Sequence, residues 1–475
     1  MGESRSLAAR MEPAPGSAGS PASRRGFVPP DAIRARFASA MSAMYRDEVP
    51  LYATLLELVD EVNARALDEA GPRSPLPAAE RARLGVERHG AIRVGSAREL
   101  GMLRRMFAIL GMHPVGYYDL SVAGVPVHST ALRPVRAEAL QRNPFRIFTS
   151  LLRLEAIDDP LLREQAARLL AQREIFTPLA VRLTEEFEAD GGLDEQQAES
   201  FVRELLQTFR WHATATVSRE TYRRMHDAHR LVADVVCFRG PHINHLSPRT
   251  LDIDAVQARM PGRGLASKQI IEGPPRRKVP ILLRQTSFKA LAEKVVFDSG
   301  AGPQGEHTAR FGEVEQRGIA LTPKGRALYD QLLREAGDAS PATSAAAYMS
   351  RLERAFRAFP DDLDSLREQA LGYFRYTVVP GRTGGAASAA TLDALLRDGV
   401  VQANPITYED FLPVSAAGIF QSNLGDASRR AGRGDDARAD FERALGCPVL
   451  DLFALYEAEQ ADSLEACRRA LRRAP

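Results

Sequence analysis

The sequence predicts an α+β chain in which two strand–helix–strand–strand–strand modules sit among long helical segments. Three observations predict it. Between residues 85 and 155 the patterns run strand, helix, strand, strand, strand. The same order returns, with long insertions, between 233 and 335. The stretches 28–80, 158–232 and much of the chain after 336 carry apolar residues at the three-to-four-residue spacing of amphipathic helices. At 475 residues, 44% hydrophobic and 26% charged, the chain has a globular composition and ample length for a large core. The organisation that follows is a disordered tail over 1–27, one domain over 28–460 and a charged helical tail over 425–475.

The elements follow in order. Asp31 is placed to cap a helix running to about Asp47, and Pro50 opens a second helix to about Ala66. The Pro-rich stretch 71–80 connects them to a glycine-bounded strand over 85–95. Ser96 and Glu99 form a capping box, in which the hydroxyl accepts from the backbone three residues on and the carboxylate reaches back. The helix it opens carries Leu100, Leu103, Phe107 and Leu110 on one face, and Gly111 ends it. Strands are expected over 114–121, 125–132 and 145–154. Helices follow near 159–172, 178–188, 194–210 and 219–232, the last capped by Ser218. Residues 231–238 and the HINHL segment then read as strand, 252–260 as a short helix, and 279–287, 294–297 and 307–316 as extended. Thr322-Pro323 opens a helix to about Ala336, and further helices are expected near 347–358 and 361–371. Residues 380–390 read as flexible, and 404–424 combine aromatics with turn residues.

Charge and motifs remove several function classes. Lys plus Arg is 63 and Asp plus Glu is 61, a net charge of +2, without the basic excess of a nucleic-acid binder. No apolar run is long enough to span a bilayer. Cys237, Cys447 and Cys467 form no CxxC, which fits a reducing cytoplasm and offers no cysteine zinc site. No GxSxG elbow and no phosphate-binding glycine loop is present. All five lysines fall between Lys268 and Lys324, inside the second module, whereas the other basic residues are arginines.

What remains is a set of histidines and one acid. His89 lies in the first strand of the first module, and His242 and His245 lie at the matching place in the second. Glu313 lies in the last strand of the second module. Two His and one carboxylate leave a divalent ion open to substrate, and that mixture suits Fe(II) better than Mg or Ca. Taken singly, each histidine is ordinarily a packed residue. His242 and His245 are an odd number apart, so in an extended segment only one faces the same way as His89. Arg93 shares a strand face with His89 at an even offset, ~13 Å away at the ~3.3 Å rise of a strand. That is the reach of a small dicarboxylate held at one end by an ion and at the other by a guanidinium fork. Arg284 is a second candidate clamp. Zinc with the same ligands would instead activate water for hydrolysis or lyase chemistry, and a non-catalytic helical scaffold is the remaining alternative.

Taken together, RHGAIR (88–93), FRGPHINHLSPRTLDID (238–254), LLRQTSFKAL (282–291), ARFGEVEQRGIALTPKGRALYD (309–330) and YEDFLPVSAAGIFQSNL (408–424) resemble the 2-oxoadipate dioxygenase/decarboxylase family, also called (R)-2-hydroxyglutarate synthases. The resemblance covers roughly 28–460. It implies a vicinal-oxygen-chelate-like fold whose βαβββ modules curve around one metal. It implies Fe(II) held by His89, His245 and Glu313, a substrate carboxylate on Arg93, and a pocket lined by Val414 and Ser415. His242 then becomes a supporting residue beside the ligands. The implied reaction takes 2-oxoadipate and O2 to (R)-2-hydroxyglutarate and CO2 in lysine catabolism. A small 2-oxo dicarboxylic acid and O2 are the expected partners, with no nucleic acid and no membrane.

Overall fold

The computed structural model describes residues 26–71, 78–121, 124–289, 292–297, 304–308, 310–337, 344–382, 391–412 and 434–473. The expected tail, apart from its last two residues, and most of the flexible 380–390 stretch lie outside the described residues, as do Val414 and Ser415. The chain divides into two compact units. The first is Met1–Ile271, Gln285–Glu315 and Phe411–Leu450, and the second is Glu272–Arg284, Gln316–Asp410 and Asp451–Pro475. The α+β class is borne out.

The first unit opens with helices α1 (Pro30–Glu48), α2 (Pro50–Ala70) and α3 (Ala78–Leu84). Asp31 does not cap α1. Pro29 is the N-cap and makes no side-chain cap bond, while Asp31 sits in the first turn and pairs with Arg34 at 2.8 Å. Proline at the first helical position has no N–H to satisfy, so the helix starts two residues earlier than a cap at the acid would set it. Arg34 is fully buried and donates to the carbonyls of Asn143, Leu110 and Ala139 at 2.8–2.9 Å.

The first module then runs β1 (Arg88–Val94), α4 (Ala97–Ile109), β2 (His113–Asp119), β3 (Val127–Arg133), α5 (Ala137–Arg142) and β4 (Arg146–Leu152), the expected order with the short α5 added between its last two strands. Ser96 caps α4 by accepting from the Glu99 N–H at 3.2 Å. The Glu99 carboxylate closes the box one residue early, on the Gly95 N–H at 2.7 Å. The helices α6 (Pro160–Ala171), α7 (Pro178–Asp190), α8 (Glu195–Gln207), α9 (Arg219–Ala228) and α10 (Arg230–Val236) follow. The last of these replaces the strand expected over 231–238. Every residue of Leu231–Val236 is buried, so the run shows neither the two-residue nor the 3.6-residue period that separates strand from helix. His229 decides the matter by accepting from the Leu231 N–H at 3.0 Å and starting the helix.

The second module supplies β5 (His245–Pro248), α11 (Ile253–Arg259), β6 (Leu283–Ser287), β7 (Ala292–Val296), β8 (Gln304–Thr308) and β9 (Glu313–Arg317). It has one more strand than the first. The strands form a five-stranded sheet of order β2-β3-β4-β1-β5 and the two-stranded ladders β6-β9 and β7-β8. β1 lies between β4, to which it is parallel, and β5, to which it is antiparallel. One face of β1, with Ile92 and Val94, joins the core formed by Phe37, Leu103, Phe107 and Phe201. The other, with Ala91, packs with Phe148, Ala131 and Phe411. The site lies on that second face.

The second unit contains α12 (Pro323–Ala336), α13 (Ala345–Phe356), α14 (Leu363–Glu368), β10 (Phe374–Val378), α15 (Leu392–Arg397) and β11 (Val401–Pro405). Thr322 caps α12 through the Gly325 N–H at 3.1 Å, as its position before Pro323 predicts. The antiparallel pair β10–β11 has no counterpart among the elements the sequence predicts. Its strands are five residues each and separated by more than twenty, so no short turn announces the hairpin. The C-terminal helices are α16 (Gly434–Leu445), in the first unit, and α17 (Leu452–Arg473), in the second. No helix among the described residues is long and apolar enough to cross a membrane.

Candidate metal centre

Strand alternation assembles the site. Residues 89, 91 and 93 share one face of β1. Ala91 lies directly opposite His245 in the β1–β5 ladder, so the His245 side chain joins that face. Gly90 permits the close pairing. A Cβ there would stand 2.6 Å from Ile243 Cδ1 and 3.1 Å from the His245 carbonyl oxygen. Glu313 and Glu315, two apart on β9, also share a face and meet His89 from two sides. His89 Nε2 lies 2.9 Å from Glu313 Oε1, and His89 Nδ1 lies 2.8 Å from Glu315 Oε2. The second contact is an ion-pair approach rather than an aligned hydrogen bond.

The side chains of His89, His245 and Glu313 are buried, and one donor atom from each lies within 4.8 Å of the others. The two imidazoles stand edge to face, 5.3 Å between centroids. Ser247 Oγ and Gln285 Nε2 both donate to Glu313 Oε1, each at 2.8 Å. These bonds fix the carboxylate and leave Oε2 without a hydrogen-bond partner, although it is buried. Both ring nitrogens of His245 are equally without one, its Nε2 lying 3.5 Å from Glu313 Oε1 in no aligned bond. Buried polar atoms left unpaired are costly and rare. Here they belong to residues that each bring one donor atom to the same buried cluster, and they are donor types that bind a transition metal, so the residues fit such an ion. Phe411, 5.0 Å from the His89 ring, and Phe311, 5.0 Å from the His245 ring, wall the cluster with apolar surface.

The electrostatics agree. Burial pushes the His245 pKa down to about 4 against the pull of Glu313, keeping the ring neutral so that one nitrogen has a lone pair free to ligate. Burial alone would raise Glu313, yet His245 and His89 hold it below the usual carboxylate range. Burial also opposes a charge on His89, but Glu315 and Glu313 together raise it.

Arg93 is buried on the same strand face and donates from Nη1 to Asp234 Oδ2 at 2.7 Å. His242 lies 3.4 Å from Asp234 and 3.2 Å from Asn244 Nδ2, outside the triad. His242 precedes β5, which begins at His245, so the expected strand over the whole HINHL segment is not formed and His242 stands in the preceding loop. Arg284 lies in the second unit, where it donates to the Pro274 carbonyl at 2.9 Å and to Gln316 at 3.3 Å. Sequence reasoning missed Glu315, Ser247, Gln285 and Asp234. Glu315 had a signal, since Glu-Val-Glu in a strand puts both acids on one face. Asp234 had none once its segment was read as strand.

The family model for 2-oxoadipate dioxygenase/decarboxylase matches residues 37–423. Proteins of that name from Escherichia coli and Pseudomonas putida are 58% and 56% identical over 443 and 456 residues. Those alignments take in 92% and 94% of this chain and 98% of each relative. The crystal structure of the hydroxyglutarate synthase from Pseudomonas putida in complex with 2-oxoadipate is 55% identical, with a TM-score of 0.88, and the match covers 94% of this chain and all of that one. With a family model spanning most of its length and relatives matched nearly end to end, the chain belongs to the 2-oxoadipate dioxygenase/decarboxylase family.

Proposed function

We propose that the chain converts 2-oxoadipate and O2 to (R)-2-hydroxyglutarate and CO2, with Fe(II) held by His89, His245 and Glu313. The observation that carries this reading is the buried triad, with one donor atom of each residue within 4.8 Å of the others and with Glu313 Oε2 and the His245 nitrogens lacking hydrogen-bond partners. The bound ion would supply a Lewis-acidic, redox-active centre with positions open to the 2-oxo acid group and to oxygen. The residues of the chain do the rest. Ser247 and Gln285 hold the Glu313 carboxylate in one rotamer. Glu315 orients His89 from its far nitrogen, the role outer carboxylates play at metal-bound imidazoles. Arg93 takes the distal carboxylate with a planar fork that a lysine would not reproduce. Phe411 and Phe311 exclude water. Both oxygen atoms end in the products, so the atoms balance without an external reductant. The three cysteines are free thiols, in keeping with a cytoplasmic setting, and the reaction would serve lysine breakdown.

Aerobic incubation with Fe(II) and 2-oxoadipate is expected to consume one O2 per CO2 released and to yield a hydroxy acid one carbon shorter. Absence of oxygen uptake would reject the reading and favour a zinc hydrolase or lyase. Glu315→Gln is expected to weaken metal affinity by roughly 10–100-fold, read by competition with a chelator. Unchanged affinity would remove Glu315 from the design.

A further inference from the structure

We infer that Asp234 is the positioning residue for Arg93: its carboxylate sets the direction of the guanidinium fork and thereby the affinity for a dicarboxylate. This rests on the reading of Arg93 as the carboxylate clamp. An arginine side chain has many rotamers, so a clamp without an anchor would lose that freedom each time substrate binds. Asp234 removes most of the cost beforehand. Its Oδ2 accepts from Arg93 Nη1 at 2.7 Å, and its Oδ1 lies 3.0 Å from His307 Nε2 and 3.4 Å from His242 Nε2. The two oxygens are thus engaged by different elements, and the carboxylate has no freedom to turn. His307, on β8, is held in turn. Its Nδ1 is 2.8 Å from the Tyr222 hydroxyl of α9, and its ring stacks on Trp211 with 7° between the planes. With the hydroxyl donating to Nδ1, the Nε2–H points at Asp234, so one tautomer serves the whole chain of contacts. The side chains of Arg93, Asp234, His242 and His307 are all buried. A pair that merely offset a buried charge would not need the further layer of His307 and Tyr222.

The test compares Asp234→Asn, Arg93→Ala and the double variant on the iron-loaded enzyme, with 2-oxoadipate and the one-methylene-shorter 2-oxoglutarate as substrates. Asp234→Asn is expected to raise KM for 2-oxoadipate roughly tenfold to a hundredfold, the size of a lost charge-assisted hydrogen bond. Iron content and kcat should stay within about threefold of the parent, and preference between the two chain lengths should flatten. In the Arg93→Ala background Asp234→Asn should add less than about threefold, because its effect passes through the arginine. Asp234→Glu is expected to recover part of the loss. If Asp234→Asn leaves KM unchanged while Arg93→Ala raises it, the clamp stands and the inference is wrong. If Arg93→Ala itself leaves KM unchanged, the clamp reading fails and takes the inference with it. Equal loss of kcat, iron and affinity would mark Asp234 as structural and overturn the inference. Should Asp234→Asn fail to fold, Tyr222→Phe decides: a smaller KM rise at constant kcat supports the chain of contacts, and no change overturns it.

Discussion

His245→Ala is expected to abolish metal binding and turnover while leaving the metal-free chain as stable as the parent. The prediction follows from an asymmetry at the site. Both ring nitrogens of His245 are buried without a hydrogen-bond partner. Removing the ring therefore breaks no hydrogen bond, and it relieves a desolvation penalty at the cost of some packing against Phe311. A structural histidine would behave in the opposite way. The parent should gain stability on loading, by about 4 kcal/mol at a thousandfold excess of free metal over Kd. His245→Ala should gain none. Glu313→Ala should lose metal equally but should also lower the stability of the metal-free chain, because Ser247 and Gln285 lose their shared acceptor. Metal titration followed by thermal melts reads both effects. A His245→Ala chain that still binds one ion and turns over would remove the triad as the metal centre.

Glu87→Ala is expected to cost about 3–5 kcal/mol, the usual consequence of removing one partner from a buried ionic group. Glu87 is fully buried. It accepts from Arg83 at 3.1 Å and 3.3 Å, from Arg146 at 2.8 Å and from Arg249 at 2.9 Å. Arg146 is fully buried as well and lies 3.7 Å from Glu315, the residue on the far side of His89. The ionic network therefore extends from the triad, and disturbing Glu87 should also loosen the support of His89. Denaturant unfolding of the metal-free chain measures the first effect, and metal affinity of the folded remainder measures the second. Glu87→Gln, which keeps two polar atoms in place, should lose less. Unfolding indistinguishable from the parent would show that the arginines find other acceptors.

The elements legible in the sequence are those whose signals are local. The β1 strand is bounded by glycines, α4 has Ser96 as its cap, and α12 has Thr322-Pro323. In each case a residue and its near neighbours state the conformation. The reading failed where burial erased periodicity, at Leu231–Val236, and where pairing joined distant segments, at β10 and β11. Those failures had a functional cost, because Asp234 lies in the first of them.

The donor types, their strand faces and the preponderance of arginine over lysine are written in the residue order alone. That order also determined the family, through long motifs in a shared order. The resemblance implied His245 rather than His242, but the reason it meets His89 is visible only in the fold, where Ala91 stands opposite His245 across an antiparallel ladder. Only the tertiary structure decided that Glu313 presents Oε2, because Ser247 and Gln285, far apart in the chain, both claim the other oxygen. The physical reason is the same in both cases. Alternation along a strand is a property of one segment, whereas register and hydrogen-bond competition are properties of pairs that the chain brings together only on folding.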